Sequence, residues 1–102
     1  TFGAVTKVRF LPAAELELLR EIAYYSKARS GTGVRFNEAV RQTVLRAVHH
    51  PQGGAPSYGE TRTMLVKGFP FSVVYRASEK ELLVVAIAPH RKQPYYWQSR
   101  VR

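Results

Sequence analysis

Residues 82–88 read Leu-Leu-Val-Val-Ala-Ile-Ala, seven apolar side chains in a row with no polar partner for either face. A strand that shows one face to water alternates apolar with polar residues, so an unbroken run of this length asks for cover on both sides. It is the expected central strand of a sheet. Upstream, Thr61 to Val66 and Phe71 to Ala77 are also strand-like, and only Gly68-Phe69-Pro70 and Ser78-Glu79-Lys80-Glu81 separate the three runs. Connections that short join neighbouring antiparallel strands, which predicts a three-strand meander over residues 61–88.

Working outward toward the start of the chain, Pro51 to Gly59 is rich in Gly and Pro and reads as a surface loop. Before it, Phe36, Val40, Thr43, Val44, Ala47 and Val48 recur at the spacing of one helix face, and Pro51 stops the pattern. A first helix is predicted from Pro12 to about Arg29, with Leu11, Leu18, Ile22 and Tyr25 on its apolar stripe and Leu19 and Ala23 widening it. Gly31 and Gly33 separate the two helices by so little chain that they must form an antiparallel hairpin. Val5 to Leu11 is a first strand at a sheet edge, with Val8 and Phe10 on one face and Lys7 and Arg9 on the other. Tyr95 to Arg102 is expected as a short closing helical turn. The expected fold is α+β, a helical hairpin on a twisted antiparallel sheet, with residues 1–102 as a single domain.

The chain of 102 residues has 16 Lys and Arg against 7 acids, a formal charge of +9, and every acid is a glutamate. Without Asp there is no Ser/His/Asp triad, and the clustered carboxylates of most divalent-metal phosphoryl-transfer sites are scarce. Without Cys there is no disulfide, thiolate nucleophile or Cys-ligated metal, and the only imidazoles are His49, His50 and His90. His49 and His50 suit the C-terminal end of the second helix as cations beside its dipole, and no metal or other cofactor is expected. No run of about 18 apolar residues marks a membrane span, and Thr1-Phe2-Gly3-Ala4 does not open a basic, then apolar, leader. The expectation is a soluble, cytoplasmic protein with a polyanionic or acidic partner.

The densest chemistry is in Pro89 to Arg102, where His90, Arg91, Lys92, Tyr95, Tyr96, Trp97, Arg100 and Arg102 alternate cations with rings. After Glu81 the chain has no acid at all. Cations beside rings are how an unpaired nucleic-acid strand is held, the cations on phosphates and the rings on bases. The competing reading is that Tyr96 and Trp97 fold inward and close a small core. RNA cleavage through its own 2′-hydroxyl needs a base, an acid and cations for the phosphorane, roles open to His90, Tyr96, Lys67, Arg62, Arg91 and Arg100.

Several phrases, taken with the order of elements, resemble the RelE/ParE superfamily of type II toxin–antitoxin toxins. They are Ala13 to Leu19 followed by Ala23-Tyr24-Tyr25, then Phe36 to Val40, then His50-Pro51 with the glycine-rich loop. The more specific ones come later: Arg62, Gly68 to Arg76 (GFPFSVVYR), Val85 to Arg91 (VAIAPHR), Pro94, Tyr96-Trp97 and Arg100. The resemblance implies a helical hairpin against a twisted antiparallel sheet, and a cognate antitoxin. Such an antitoxin carries a disordered segment that folds along the toxin, laying apolar anchors in a groove and sometimes adding a strand. The helical hairpin and first strand are expected to contribute to that surface. Leu18, Ile22 and Tyr25 are poor probes of it, because they are expected in the core as well.

The superfamily has two branches with different targets. RelE-like members cut messenger RNA on the ribosome, and ParE-like members bind DNA gyrase and trap it on cleaved DNA. As a nuclease this chain would use Arg62, Lys67, His90, Arg91 and Tyr96. Yet Ser72 stands where the nuclease branch usually carries an arginine, and Lys67 is the only lysine on the strand before it. Losing one transition-state cation costs about 2–4 kcal/mol. The resemblance therefore favours the ParE-like branch, a gyrase inhibitor without catalysis of its own, with Arg91, Tyr96, Trp97 and Arg100 as the target contact. A degenerate toxin that only binds its antitoxin and helps repress their shared promoter is the third possibility.

Overall fold

The computed structural model describes residues 7–101. β1 (Val8–Phe10) leads into α1 (Pro12–Ala28) and α2 (Thr32–His49), followed by β2 (Ala55–Pro56), β3 (Arg62–Leu65), β4 (Phe71–Ala77) and β5 (Leu82–Pro89). Two short 3₁₀ turns, Tyr58–Glu60 and Gln98–Val101, lie before β3 and at the end. The five strands form one sheet in the order β1-β5-β4-β3-β2. The expected meander is present and antiparallel, while β1 joins β5 in parallel, which makes the whole sheet mixed. Parallel pairing follows from the two-helix crossover, which returns the chain across the sheet before the meander begins. Val5 and Thr6 of the expected first strand, and Arg102 at the end of the closing turn, lie outside the described residues.

The helices cover one face of the sheet. Phe36, Val40, Val44 and Ala47 of α2 and Ala14 of α1 pack with Phe71, Val73, Tyr75, Leu82, Val84 and Ile87. Rings of Tyr25, Phe36, Phe69 and Phe71 meet at 4.9–6.3 Å, mostly edge to face. Leu19 and Ala23 do not widen the stripe of α1: both are exposed, Leu19 by 56%. α1 meets the sheet along Leu18, Ile22 and Tyr25, and a helix packed along one narrow seam turns its remaining apolar residues outward. On the opposite face, Trp97 and Val101 cover Val74, Leu83, Val85 and Ala86. This accounts for the unbroken apolar run of β5, which is sealed by helices on one side and by the tail on the other.

β5 also hides a bulge. Val74 stands opposite Ala86 but Tyr75 opposite Val84, so one residue of β5 has no partner. The side facing the helices therefore changes parity, from Leu82 and Val84 to Ile87. The expected surface loop after α2 contains a turn of strand, β2, and is fixed from below. Tyr75 is fully buried, and its hydroxyl accepts from the Gly54 N–H (3.0 Å) and donates to the Pro51 carbonyl (2.9 Å). A side chain at Gly54 would put a Cβ 2.6 Å from that hydroxyl. Burial raises the pKa of Tyr75, so it stays a neutral donor and acceptor.

Gly33, in the first turn of α2, lies against α1, and a Cβ there would fall 2.6 Å from the Ile22 carbonyl oxygen and against Ser26. Both obstacles belong to α1, so the hairpin would have to open. Gly33→Ala is expected to lower stability by about 1–3 kcal/mol, read as a lower urea midpoint; an unchanged midpoint would mean that the helices are not in this close contact.

Candidate functional site

The tail after β5 crosses the face of the sheet away from the helices, and its cations and rings divide into two sets. The first is bound inward. Glu17, on α1, accepts from the Ile87 N–H (3.0 Å), from the Tyr96 hydroxyl (2.7 Å) and from both terminal nitrogens of Arg100 (3.1 and 3.0 Å). Arg100 also donates to the Val85 carbonyl at 3.0 Å. Pairing with β1 ends at Val84, so beyond that point the side chains of Glu17 and Arg100 take the place of a neighbouring strand along the edge of β5.

This network sets the chemistry of Tyr96 and Arg100. Burial, reinforced by the hydrogen bond to Glu17 and its charge, pushes the Tyr96 hydroxyl far above its ordinary value. It stays protonated, with its proton directed at Glu17. The Glu17 carboxylate likewise raises the pKa of Arg100. Both partners of the ion pair keep only about a fifth of their side-chain surface, 21% for Arg100 and 19% for Glu17. Trp97 is 3% exposed and belongs to the core beneath the tail.

The second set faces outward. His90, Arg91, Lys92 and Tyr95 are exposed. Ser72 Oγ and His90 Nε2 lie 3.0 Å apart, Lys92 Nζ rests 4.7 Å from the Tyr96 ring centroid, and Arg91 reaches only within 4.0 Å of Glu21. Of the four residues read from the sequence as a target contact, Arg91 alone presents most of its side chain, at 71% exposure. Tyr96, Trp97 and Arg100 instead hold the tail in place.

The residues read as a nuclease set are not gathered at one point. Arg62 donates to the Gly54 and Gln52 carbonyls (2.8 and 3.2 Å) and to the Gln52 side chain (2.7 Å), fixing the loop above Tyr75. It borders a cavity with Pro51, Gln52 and Glu60. Lys67 borders another, beside Arg35, Glu38 and Phe69 of the helical side. His90 and Tyr96 share a third, and Arg91 turns toward α1. Sequence reasoning missed Glu17, although a signal for it exists: it lies between Ala14 and Leu18 on the inward seam of α1, an unusual place for a carboxylate without a partner.

A separate groove of about 540 Å³ opens between β1 and the helices, lined by Val8, Phe10, Leu18, Val40, Val44 and Leu45 together with Glu15, Glu38, Arg41 and Gln42. Val8 and Leu45 are 41% and 48% exposed there. β1 is an edge strand, so one side of its backbone has no strand beside it among the described residues. From the middle of β1 the bidentate pair of Arg9 with Glu81 (3.2 and 3.1 Å) ties it to the turn before β5, and Arg9 holds the Glu81 carboxyl below its usual range. Among the described residues no helix is long and apolar enough to cross a membrane, and no group of three His, Cys, Asp or Glu is placed to hold a metal ion.

Truncating Glu17 leaves the Ile87 N–H without its acceptor and the Arg100 guanidinium with the Val85 carbonyl but no counter-charge, at a partly buried place. Glu17→Ala is expected to cost about 3 kcal/mol of stability, a large part of the roughly 5–15 kcal/mol of a typical domain. Trp97 emission should shift to the red under native conditions as the tail loosens. Unchanged emission with an unchanged urea midpoint would show that the tail is held by its apolar contacts alone.

Comparison with known proteins agrees with this architecture. Residues 8–94 match the family described as the ParE toxin of the type II toxin–antitoxin system, parDE. A solved chain of the chromosomal ParDE toxin–antitoxin system from P. aeruginosa has the same fold, with a TM-score of 0.69 over 84% of this chain and 97% of that one. Its sequence is 19% identical, so that likeness is one of fold. No curated protein sequence matches the chain. With a helical hairpin on a five-stranded mixed sheet and a family match over most of its length, the chain belongs to the ParE toxin family of type II toxin–antitoxin systems.

Proposed function

We propose that this toxin arrests growth by binding and poisoning DNA gyrase, without catalysis of its own, and that a cognate antitoxin neutralises it. The observation that carries the choice of a binding toxin over a nuclease is the dispersal of the cations. Arg62 holds a loop, Lys67 lies on the helical side, and Arg100 is spent on Glu17. In-line attack by a 2′-hydroxyl needs a base, an acid and cations around one phosphate. Tyr96, which shares a cavity with His90, is held protonated and cannot serve as the base at neutral pH. On this reading the outward cations, Arg91 foremost, belong to the target contact, and Tyr96, Trp97 and Arg100 serve it by fixing the tail.

The antitoxin's place is the groove between β1 and the helices. Its apolar floor fits the anchors of an amphipathic segment, the edge of β1 can take an added strand, and the charge of +9 steers an acidic partner. Leu45 offers the cleaner probe that the core residues do not, because nearly half of it is already exposed. Leu45→Glu is expected to weaken antitoxin binding by about tenfold or more, on the order of 1–3 kcal/mol, with an unchanged unfolding midpoint. Unchanged affinity would place the antitoxin elsewhere.

The target is tested by DNA supercoiling with purified gyrase and the isolated toxin, with and without antitoxin. Linear, protein-linked DNA that disappears when antitoxin is added is the expected result. Unimpaired supercoiling by a toxin that still arrests growth would overturn the gyrase assignment and transfer it to ribosome-bound messenger RNA. A protein that arrests nothing would be a degenerate toxin, confined to binding its antitoxin.

A further inference from the structure

A cavity of about 270 Å³ lies on the face of the sheet away from the helices, floored by Thr63, Ser72, Val74 and Ala88 and walled by the tail. It is smaller than the roughly 300–1,000 Å³ of drug-sized sites, which suits a ligand group of one ring system. Its wall is aromatic. Tyr95, Tyr96 and Trp97 line it, with the Tyr95 and Trp97 ring centroids 6.0 Å apart, and Tyr58, outside the lining, stands 6.4 Å from Tyr95 and 6.5 Å from Trp97. Trp97 is buried at the base of these rings, while Tyr95 and Tyr58 leave about half their surface in solvent.

Tyr95 is held there against its backbone preference. Its φ of +63° lies in the left-handed region, where a bulky side chain is uncommon and needs the surrounding structure to keep it. The fold thus holds an aromatic face outward when a relaxed backbone would not choose that conformation. Lys92 is parked over the neighbouring Tyr96 ring, and His90 meets Ser72 across the cavity floor. Among the described residues lining the cavity there is no carboxylate, so its field is cationic with hydroxyls at hand.

A half-exposed ring beside Lys92, with the nearest carboxylate, Glu17, already paired with Arg100 and outside the lining, suits a flat aromatic group that carries negative charge. We propose that this cavity binds one nucleotide of an unpaired nucleic-acid strand, its base laid on Tyr95 and its phosphate at Lys92 and His90. A duplex does not fit this arrangement, because its bases show their edges in the grooves and keep their faces stacked on one another. The inference stands apart from gyrase, since strand binding is a property of the toxin alone.

A protein of this charge adheres to any polyanion, so the test must separate stacking from charge. Fluorescence anisotropy of labelled oligo(dT) and oligo(U), the two sources of the same chemistry, is measured across salt concentrations, with the duplex form and heparin as competitors. Tyr95→Gly removes the ring while accepting the left-handed backbone, so the variant should fold, as its urea midpoint will show. It is expected to bind either strand about tenfold more weakly with the salt slope unchanged, whereas Tyr95→Phe binds as the parent does. Lys92→Gln is expected to reduce the salt slope by about 0.7. If Tyr95→Gly binds like the parent, or if duplex and heparin compete as well as unpaired strands, the cavity is not a nucleotide site and the binding is charge alone.

Discussion

The carboxylate of Glu17 is where the three layers of this protein meet. It accepts a backbone N–H from β5, a hydroxyl and a guanidinium from the tail, and it is itself carried on α1. The need for it follows from the short first strand. β1 covers β5 only as far as Val84, and the backbone groups at Val85 and Ile87 would otherwise lie on a bare edge beneath the tail. Unpaired backbone groups at such a place are costly, and an ion pair that also satisfies them removes that cost. With both charges largely withdrawn from water, the geometry leaves little freedom: α1 fixes Glu17, Glu17 fixes Arg100 and Tyr96, and these lay Trp97 and Val101 over the second face of the sheet.

This arrangement decides which residues of a basic, aromatic tail are free to meet a partner. The composition alone makes every cation and ring from His90 to Arg100 a candidate. Once Glu17 has taken Tyr96 and Arg100, and the sheet has taken Trp97, the outward surface consists of His90, Arg91, Lys92 and Tyr95. The inward set therefore acts as the support of the outward one. The groove beside β1 and the cavity beside Tyr95 share no lining residue, so an antitoxin in the groove, as proposed, need not touch the tail.

Much of the architecture was legible because its signals are local. Pro12, Pro51 and Gly31 bound the helices, while Gly33, read as part of the break, lies inside α2; Gly68 and Pro70 mark the first turn of the meander, and β4 runs over the very residues read as a strand. The apolar run of β5 announced cover on both faces. The same run concealed the bulge, because a change of parity leaves no mark where every residue is apolar. Leu19 and Ala23 were misplaced for a related reason: helical spacing gives the breadth of an apolar stripe, and only packing gives the part of it that is buried. The site was less legible. Arg62, Tyr96 and Arg100 look like free cations and a free hydroxyl until the loop at Gly54 and the carboxylate of Glu17 are folded against them, and those contacts span long stretches of chain.

The charge pair between α1 and the tail, rather than apolar contact alone, holds the tail on the sheet. A double-mutant cycle on Glu17→Gln and Arg100→Met, followed by urea unfolding, measures that term directly. A coupling energy of about 1–3 kcal/mol between the two positions is expected. Effects that add to within about 0.5 kcal/mol would contradict it, leaving Trp97 and Val101 as the only anchors of the tail.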